Sequence, residues 1–235
     1  MTTVSGEAFW RGGGADRLDA QFERQARLMA VVAGGALSST ADIGRLLDRL
    51  YERDPSSRGH VDRVAASAVR LGRELGMTPE RLVDLERAAM LHDIGRFVVP
   101  DAPRSQGAAL SPGDGRQRIE QARAAYEIAA VVPMLSRPAV MIGASFEWYD
   151  GSGYPLGIKD TAIPLGARIL SVADAADTLT ALCLAYEHPL DAVRDEVIRS
   201  AGTRFDPDVV AAWLRLGADD SETLIRWTAS GALTH

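Results

Sequence analysis

The chain has 235 residues, enough for one domain with a substantial core and a short appendage. Hydrophobic residues make up 46%, charged residues 25%, and the formal net charge is -6; this is ordinary globular composition, and the acid excess disfavours nucleic acid or an anionic membrane surface as the main partner. The lone Cys183 rules out an internal disulfide and fits a reducing compartment, the longest apolar run (residues 28–37) is too short to span a bilayer, and the N-terminus lacks a secretory leader pattern, so a cytoplasmic protein is expected.

Residues 1–14 are polar and Gly-rich and read as a loose arm. Residues 16–33 carry Leu18, Phe22, Ala26, Met29 and Ala33 at helical spacing, and Gly34-Gly35 ends that run. Ser39 with Asp42 opens a second helix through Ile43, Leu46, Leu47 and Leu50. The expectation is an N-terminal arm and helical hairpin over 1–50, packed on the main domain or on a second copy in a homodimer, followed by one domain over 51–235. His60 opens a helix with Val61, Val64, Ala65, Ala68 and Leu71 on one stripe, and Gly76 ends it. Thr78-Pro79-Glu80 starts the next helix, with an N-cap residue, a proline at the first position and an acid in the first turn. That helix stops at His92-Asp93. Further helices are predicted over 112–131, 138–148, 164–176, 189–201 and 207–216, with a Gly/Pro-rich loop at Asp150-Gly151-Ser152-Gly153-Tyr154-Pro155. Val98-Val99 is the only strand-like piece, so the fold class is all-α.

His92 and Asp93 stand side by side at a helix end, in a chain with four histidines. Imidazole nitrogen and carboxylate oxygen together suit a divalent transition ion, but for the pair alone a buried histidine beside a helix-ending aspartate is the stronger reading, because a two-residue match is weak. Asp174 lies among small apolar residues of a predicted core helix, where a carboxylate needs a partner or a metal. His60, His92, Asp93 and Asp174 together form a two-nitrogen, two-oxygen set able to hold one ion and leave positions open for water and substrate.

In that order these four resemble the metal quartet of the HD superfamily of metal-dependent phosphohydrolases, and the chain is most similar to its HD-GYP branch, the cyclic di-GMP phosphodiesterase type. Arg53-Asp54-Pro55, Gly59-His60, Arg63-Val64, His92-Asp93-Ile94-Gly95, Val99-Pro100-Asp101 and Asp150-Gly151-Ser152-Gly153-Tyr154-Pro155 carry the likeness. So do Ile163-Pro164-Leu165, Ala167-Arg168-Ile169-Leu170, Val172-Ala173-Asp174, Gly202-Thr203 and Phe205-Asp206-Pro207, over about residues 45–213. The resemblance implies an HD-type helical bundle. It also marks departures. The family's later histidine aligns with Gln121, its His-His-Glu with Ser145-Phe146-Glu147, and its third-metal Glu with Tyr51. An Arg of the phosphate-binding loop aligns with Leu156, while Lys159 remains, and the family's Arg-Pro-Tyr is missing from residues 177–186. Arg96 stands where the family has Lys and keeps the charge. The ligands of a second or third metal are thus replaced and the one-metal quartet is intact.

The resemblance therefore implies one divalent ion (Fe, Mn, Ni, Co, Zn or Mg) on His60, His92, Asp93 and Asp174. Arg96 and Lys159 are candidates to offset phosphoryl charge, and Glu147 and Asp150 are candidates for acid–base work. Each has a plainer reading as a surface cation or as loop chemistry. Trp148-Tyr149 can stack a base or pack a core. The expected function is hydrolysis of a small, nucleotide-like phosphomonoester. The alternative is a degenerate HD-GYP module that binds a cyclic dinucleotide, or a protein partner at Gly153-Tyr154-Pro155, and signals without catalysis. Iron oxygenase chemistry, found in some HD proteins, uses a second iron for which this chain lacks ligands.

Overall fold

The computed structural model describes residues 43–44, 47–48, 51–52, 55, 57–97, 99 and 112–218. Among them there are seven α-helices and no strand, so the all-α expectation holds: α1 (Ser57–Glu74), α2 (Pro79–Leu91), α3 (Pro112–Ala130), α4 (Ser136–Ala144), α5 (Leu165–Ala185), α6 (Asp191–Arg199) and α7 (Pro207–Ala218). Val99 is a bend whose N–H donates to the Gly95 carbonyl, which corrects the strand-like reading there. The expected N-terminal hairpin lies outside the described residues, except that Ile43 and Leu47 are helical and buried in the core.

α1 buries the stripe Val61, Val64, Ala65, Ala68 and Leu71. It ends in a Schellman turn. Gly76 takes φ +71°, its N–H donates to Arg73 O, and Met77 N–H donates to Gly72 O. The turn sends α2 back along α1. Pro79 follows the N-cap Thr78 at the start of α2, and Leu85, Ala88, Ala89 and Leu91 face the core. α5 is the central helix. Its first three turns bury residues on every side, from Gly166, Ala167, Ile169 and Leu170 through Val172, Ala173, Ala175 and Ala176. A helix apolar all round belongs in a core, and α1, α2, α4, α6 and α7 all pack against it. Asp174 and Asp177 are therefore delivered to the centre of the bundle, facing α1.

Two segments hold the ends of this frame. At the first, the 3-10 turn Ile94–Phe97 lies directly on the α3 backbone. A Cβ on Gly95 would come 1.8 Å from the Gln121 carbonyl oxygen. Gly95→Ala must push the turn and α3 apart. We expect a loss of at least about 1–3 kcal/mol from overpacking, read as a lowered thermal midpoint; an unchanged midpoint would refute the close approach.

At the second, the segment after α4 folds back on itself. The helix expected to reach Trp148 stops at Ala144. The Ser145 hydroxyl donates to Ile142 O, and a Cβ on Gly153 would lie 2.1 Å from Trp148 N, so the Gly153 backbone occupies the space a further helical turn would need. Tyr149 and Asp150 N–H groups donate to Arg204 O and Thr203 O, tying the loop to the chain entering α7. Arg168 on α5 pairs with the buried Asp206 and also donates to Ile163 O.

Candidate metal centre

His60 sits in the first turn of α1, His92 and Asp93 just past the end of α2, and Asp174 in the middle of α5. The bundle brings them side by side. His60 Nε2 lies 3.2 Å from His92 Nε2, 3.4 Å from Asp174 Oδ1 and 3.8 Å from Asp93 Oδ2. His92 Nε2 lies 3.6 Å from Asp174 Oδ1 and 3.7 Å from Asp93 Oδ1. Donor atoms about 2.1 Å from a shared ion stand roughly 3.0–3.4 Å from one another; the observed separations run from 3.2 to 3.8 Å, with those to Asp93 the widest. His60, His92 and Asp93 each also offer an atom within 4.8 Å of the others'.

The ring orientations fit the same purpose. His92 Nδ1–H donates to the Ala89 carbonyl at 2.6 Å, one turn back on its own helix. His60 Nδ1–H donates to Asp177 Oδ2 at 2.7 Å. With both Nδ1 positions engaged, both Nε2 lone pairs are left for a metal. Electrostatics agree. Burial opposes charge on His60, but hydrogen bonds to Asp174 and Asp177 outweigh it and push its pKa up to about 10. His92 is raised too, with Asp93 and Asp174 overcoming its burial. Burial likewise opposes charge on Asp174, yet the two imidazoles hold it well below the usual carboxylate range. The cluster keeps Asp174 ionised and attracts positive charge, and a metal ion must compete with protons for the imidazoles. Nitrogen and oxygen donors, spacing and tautomers together fit a divalent ion.

The other expected residues fall in three places. Arg96 belongs to the quartet's edge: its guanidinium donates to Asp93 Oδ2 at 3.0 Å and stays partly exposed. Glu147 and Asp150 serve the loop. Glu147 is buried, and its Oε1 accepts the Leu156 N–H at 2.6 Å; Asp150 Oδ1 accepts the Ser152 N–H and hydroxyl. Lys159 is exposed at the end of the same loop, with its Cβ beside Gly151. Trp148 is exposed and Tyr149 half-buried. The residues aligned with second-metal ligands are engaged elsewhere. The Gln121 amide donates to Val99 O, the Ser145 hydroxyl donates to Ile142 O, and Phe146 stacks on Tyr154 at 5.5 Å.

Sequence reasoning missed Arg63 and Asp177. Arg63 Nε and Nη2 donate to Asp177 Oδ1 and Oδ2 at 2.5 and 3.0 Å, and Asp177 holds His60. The available signal was spacing: Arg63 is three residues after His60, and Asp177 is three after Asp174, so each lies on the helix face of a ligand.

The chain belongs to the HD-domain family, whose pattern matches residues 46–209. It is 30% identical over 183 residues to a cyclic di-GMP phosphodiesterase of Thermotoga maritima, covering 74% of this chain and 49% of that protein. To the 3'3'-cGAMP-specific phosphodiesterase 3 of Vibrio cholerae it is 33% identical over 172 residues, covering 72% and 36%. Among solved structures, a cyclic GMP-AMP specific phosphodiesterase of V. cholerae superimposes with TM-score 0.56 at 20% identity, covering 74% of this chain and 46% of that one. An HD-G"Y"P protein of Bdellovibrio bacteriovorus gives 0.55 at 18%, covering 67% and 51%. The chain thus spans about half or less of the length of the curated relatives it matches. No described helix is long and apolar enough to cross a membrane.

Proposed function

We propose that this chain is a one-metal HD phosphohydrolase acting on a small, nucleotide-like phosphomonoester. The observation that carries this reading is the cluster of His60, His92 and Asp93, with donor atoms within 4.8 Å of one another, beside which Asp174 Oδ1 lies 3.4 and 3.6 Å from the two Nε2 atoms, with both Nδ1 positions engaged.

Charge supports a single ion. The contacts that reach the quartet tie three carboxylates (Asp93, Asp174, Asp177) to two guanidiniums (Arg63, Arg96). With neutral imidazoles the cluster is negative by one. One divalent ion makes it positive by one, which suits a phosphate anion. A second ion would leave three positive charges, and Gln121, Ser145 and Phe146 bring no anionic ligand for it.

A divalent ion held by the quartet supplies Lewis-acid polarisation of a phosphoryl oxygen and a more acidic water. The chain's own groups do the rest. Arg96, placed on its 3-10 turn beside Asp93, would pair with a phosphoryl oxygen and stabilise its developing charge. Lys159 adds a second cation from the loop. Glu147 and Asp150 act indirectly by holding the loop in shape, and Trp148 offers an exposed ring for a base.

The relatives favour a second reading, cleavage of a cyclic dinucleotide. A panel of nucleoside monophosphates, sugar phosphates, cyclic di-GMP and 3'3'-cGAMP, assayed with Mn, Fe, Ni, Co and Mg in turn, separates the two. We expect phosphate release from a nucleotide-like monoester and little or no turnover of the cyclic dinucleotides. Cyclic dinucleotide cleavage that depends on Asp93 would replace our substrate assignment, and no turnover of any member would end the enzyme reading.

A further inference from the structure

The two histidines of the quartet are oriented by different means. His92 takes its hydrogen bond from the Ala89 carbonyl, a backbone group of the helix it terminates. Helix geometry alone sets that ring. His60 stands in the first turn of α1, and its ring is set by the side chain of Asp177, which belongs to α5. Asp177 is itself gripped on both oxygens by Arg63, one turn along α1 from His60. His60 and Arg63 on one helix thus meet Asp174 and Asp177 on the other, each pair three residues apart. Asp174 Oδ1 faces His60 Nε2 at 3.4 Å, and Asp177 Oδ2 faces Nδ1 at 2.7 Å.

We infer that Arg63 and Asp177 are positioning residues that fix the ring and tautomer of His60 and thereby set the affinity of the quartet for its ion. The inference rests on the one-ion reading above. Asp177 has two oxygens facing three donors: Arg63 Nε, Arg63 Nη2 and His60 Nδ1–H. A carboxylate satisfies them all. An Asn of the same shape turns one of those oxygens into a donor, which then faces either Arg63 or His60. The His60 ring loses its partner or Arg63 does, so shape without charge cannot substitute. Arg63 supplies the complementary half: it holds Asp177 in place and cancels its charge, so Asp177 orients His60 without adding net negative charge to the site.

The test uses the full chain, freed of metal by chelation and titrated with Co2+ alone. Visible absorption reports both affinity and ligand geometry. Two variants are compared with the unmodified chain: Asp177→Asn, and the double variant Arg63→Leu/Asp177→Leu. The double variant removes both charges together and so leaves none unpaired in the helix interface. We expect both to bind Co2+ roughly 10- to 100-fold more weakly, the usual consequence of losing an outer partner of a metal ligand, with an altered absorption band. The metal-free double variant should unfold near the unmodified midpoint. A pair that serves helix packing alone would alter the metal-free midpoint while leaving affinity and band unchanged. Binding within about twofold of the unmodified chain in either folded variant overturns the inference and leaves the one-ion reading standing. Failure of the unmodified chain to bind Co2+ removes that reading, and the inference with it.

Discussion

Asp174→Ala is expected to lose the metal and all hydrolytic activity above background. Asp174 approaches both imidazoles through a single oxygen, at 3.4 Å from His60 Nε2 and 3.6 Å from His92 Nε2. Removing it takes a ligand from the ion and leaves two imidazoles facing each other at 3.2 Å with one counter-charge fewer. Three of the proposed ligands would remain, but Asp93 would be the quartet's one carboxylate left to offset the cation. Elemental analysis of the purified variant checks this, with far-UV circular dichroism showing that the helices persist. Metal content equal to that of the unmodified chain would mean that another group coordinates.

Arg96→Ala is expected to behave differently, keeping its metal and losing rate. Arg96 meets the site through Asp93 Oδ2, and its guanidinium is a donor, not a metal ligand. Its removal takes a positive charge from beside the ion, so cation binding should not suffer. What is lost is a positioned donor for the charge that develops on the phosphoryl group. Deletions of such donors cost about a hundred- to a thousandfold in kcat. Arg96→Lys should recover part of the rate, since it restores charge without the two-donor fork. A kcat within a fewfold of the unmodified enzyme, measured at saturating metal, would remove Arg96 from the chemistry.

Much of this architecture is legible in the residues themselves. Thr78-Pro79 marks the start of α2, and Gly76 marks the end of α1, because those types satisfy demands of a helix terminus that others meet poorly. His60, His92-Asp93 and Asp174 stand out because polar groups at core positions need partners. The end of α4 is not legible. Residues 145–148 carry no breaker, and the helix stops because the Gly153 backbone returns into the space beside Trp148, a contact made by residues outside the segment. Asp177 and Arg63 were missed for a related reason. Each looks like an ordinary charge on its own helix, and its role depends on the register between α1 and α5, which periodicity within one helix does not report. Glu147 shows the reverse case. A carboxylate next to a Gly-rich loop invites a catalytic assignment from sequence, and the structure adds that one of its oxygens accepts the Leu156 N–H of that loop.

The proposed centre holds a single ion. Inductively coupled plasma analysis of the full chain, saturated with Mn2+ and freed of loosely held metal by desalting, measures it most directly. Close to one ion per chain is expected, falling to background in Asp93→Ala. Two tightly held ions per chain would contradict it.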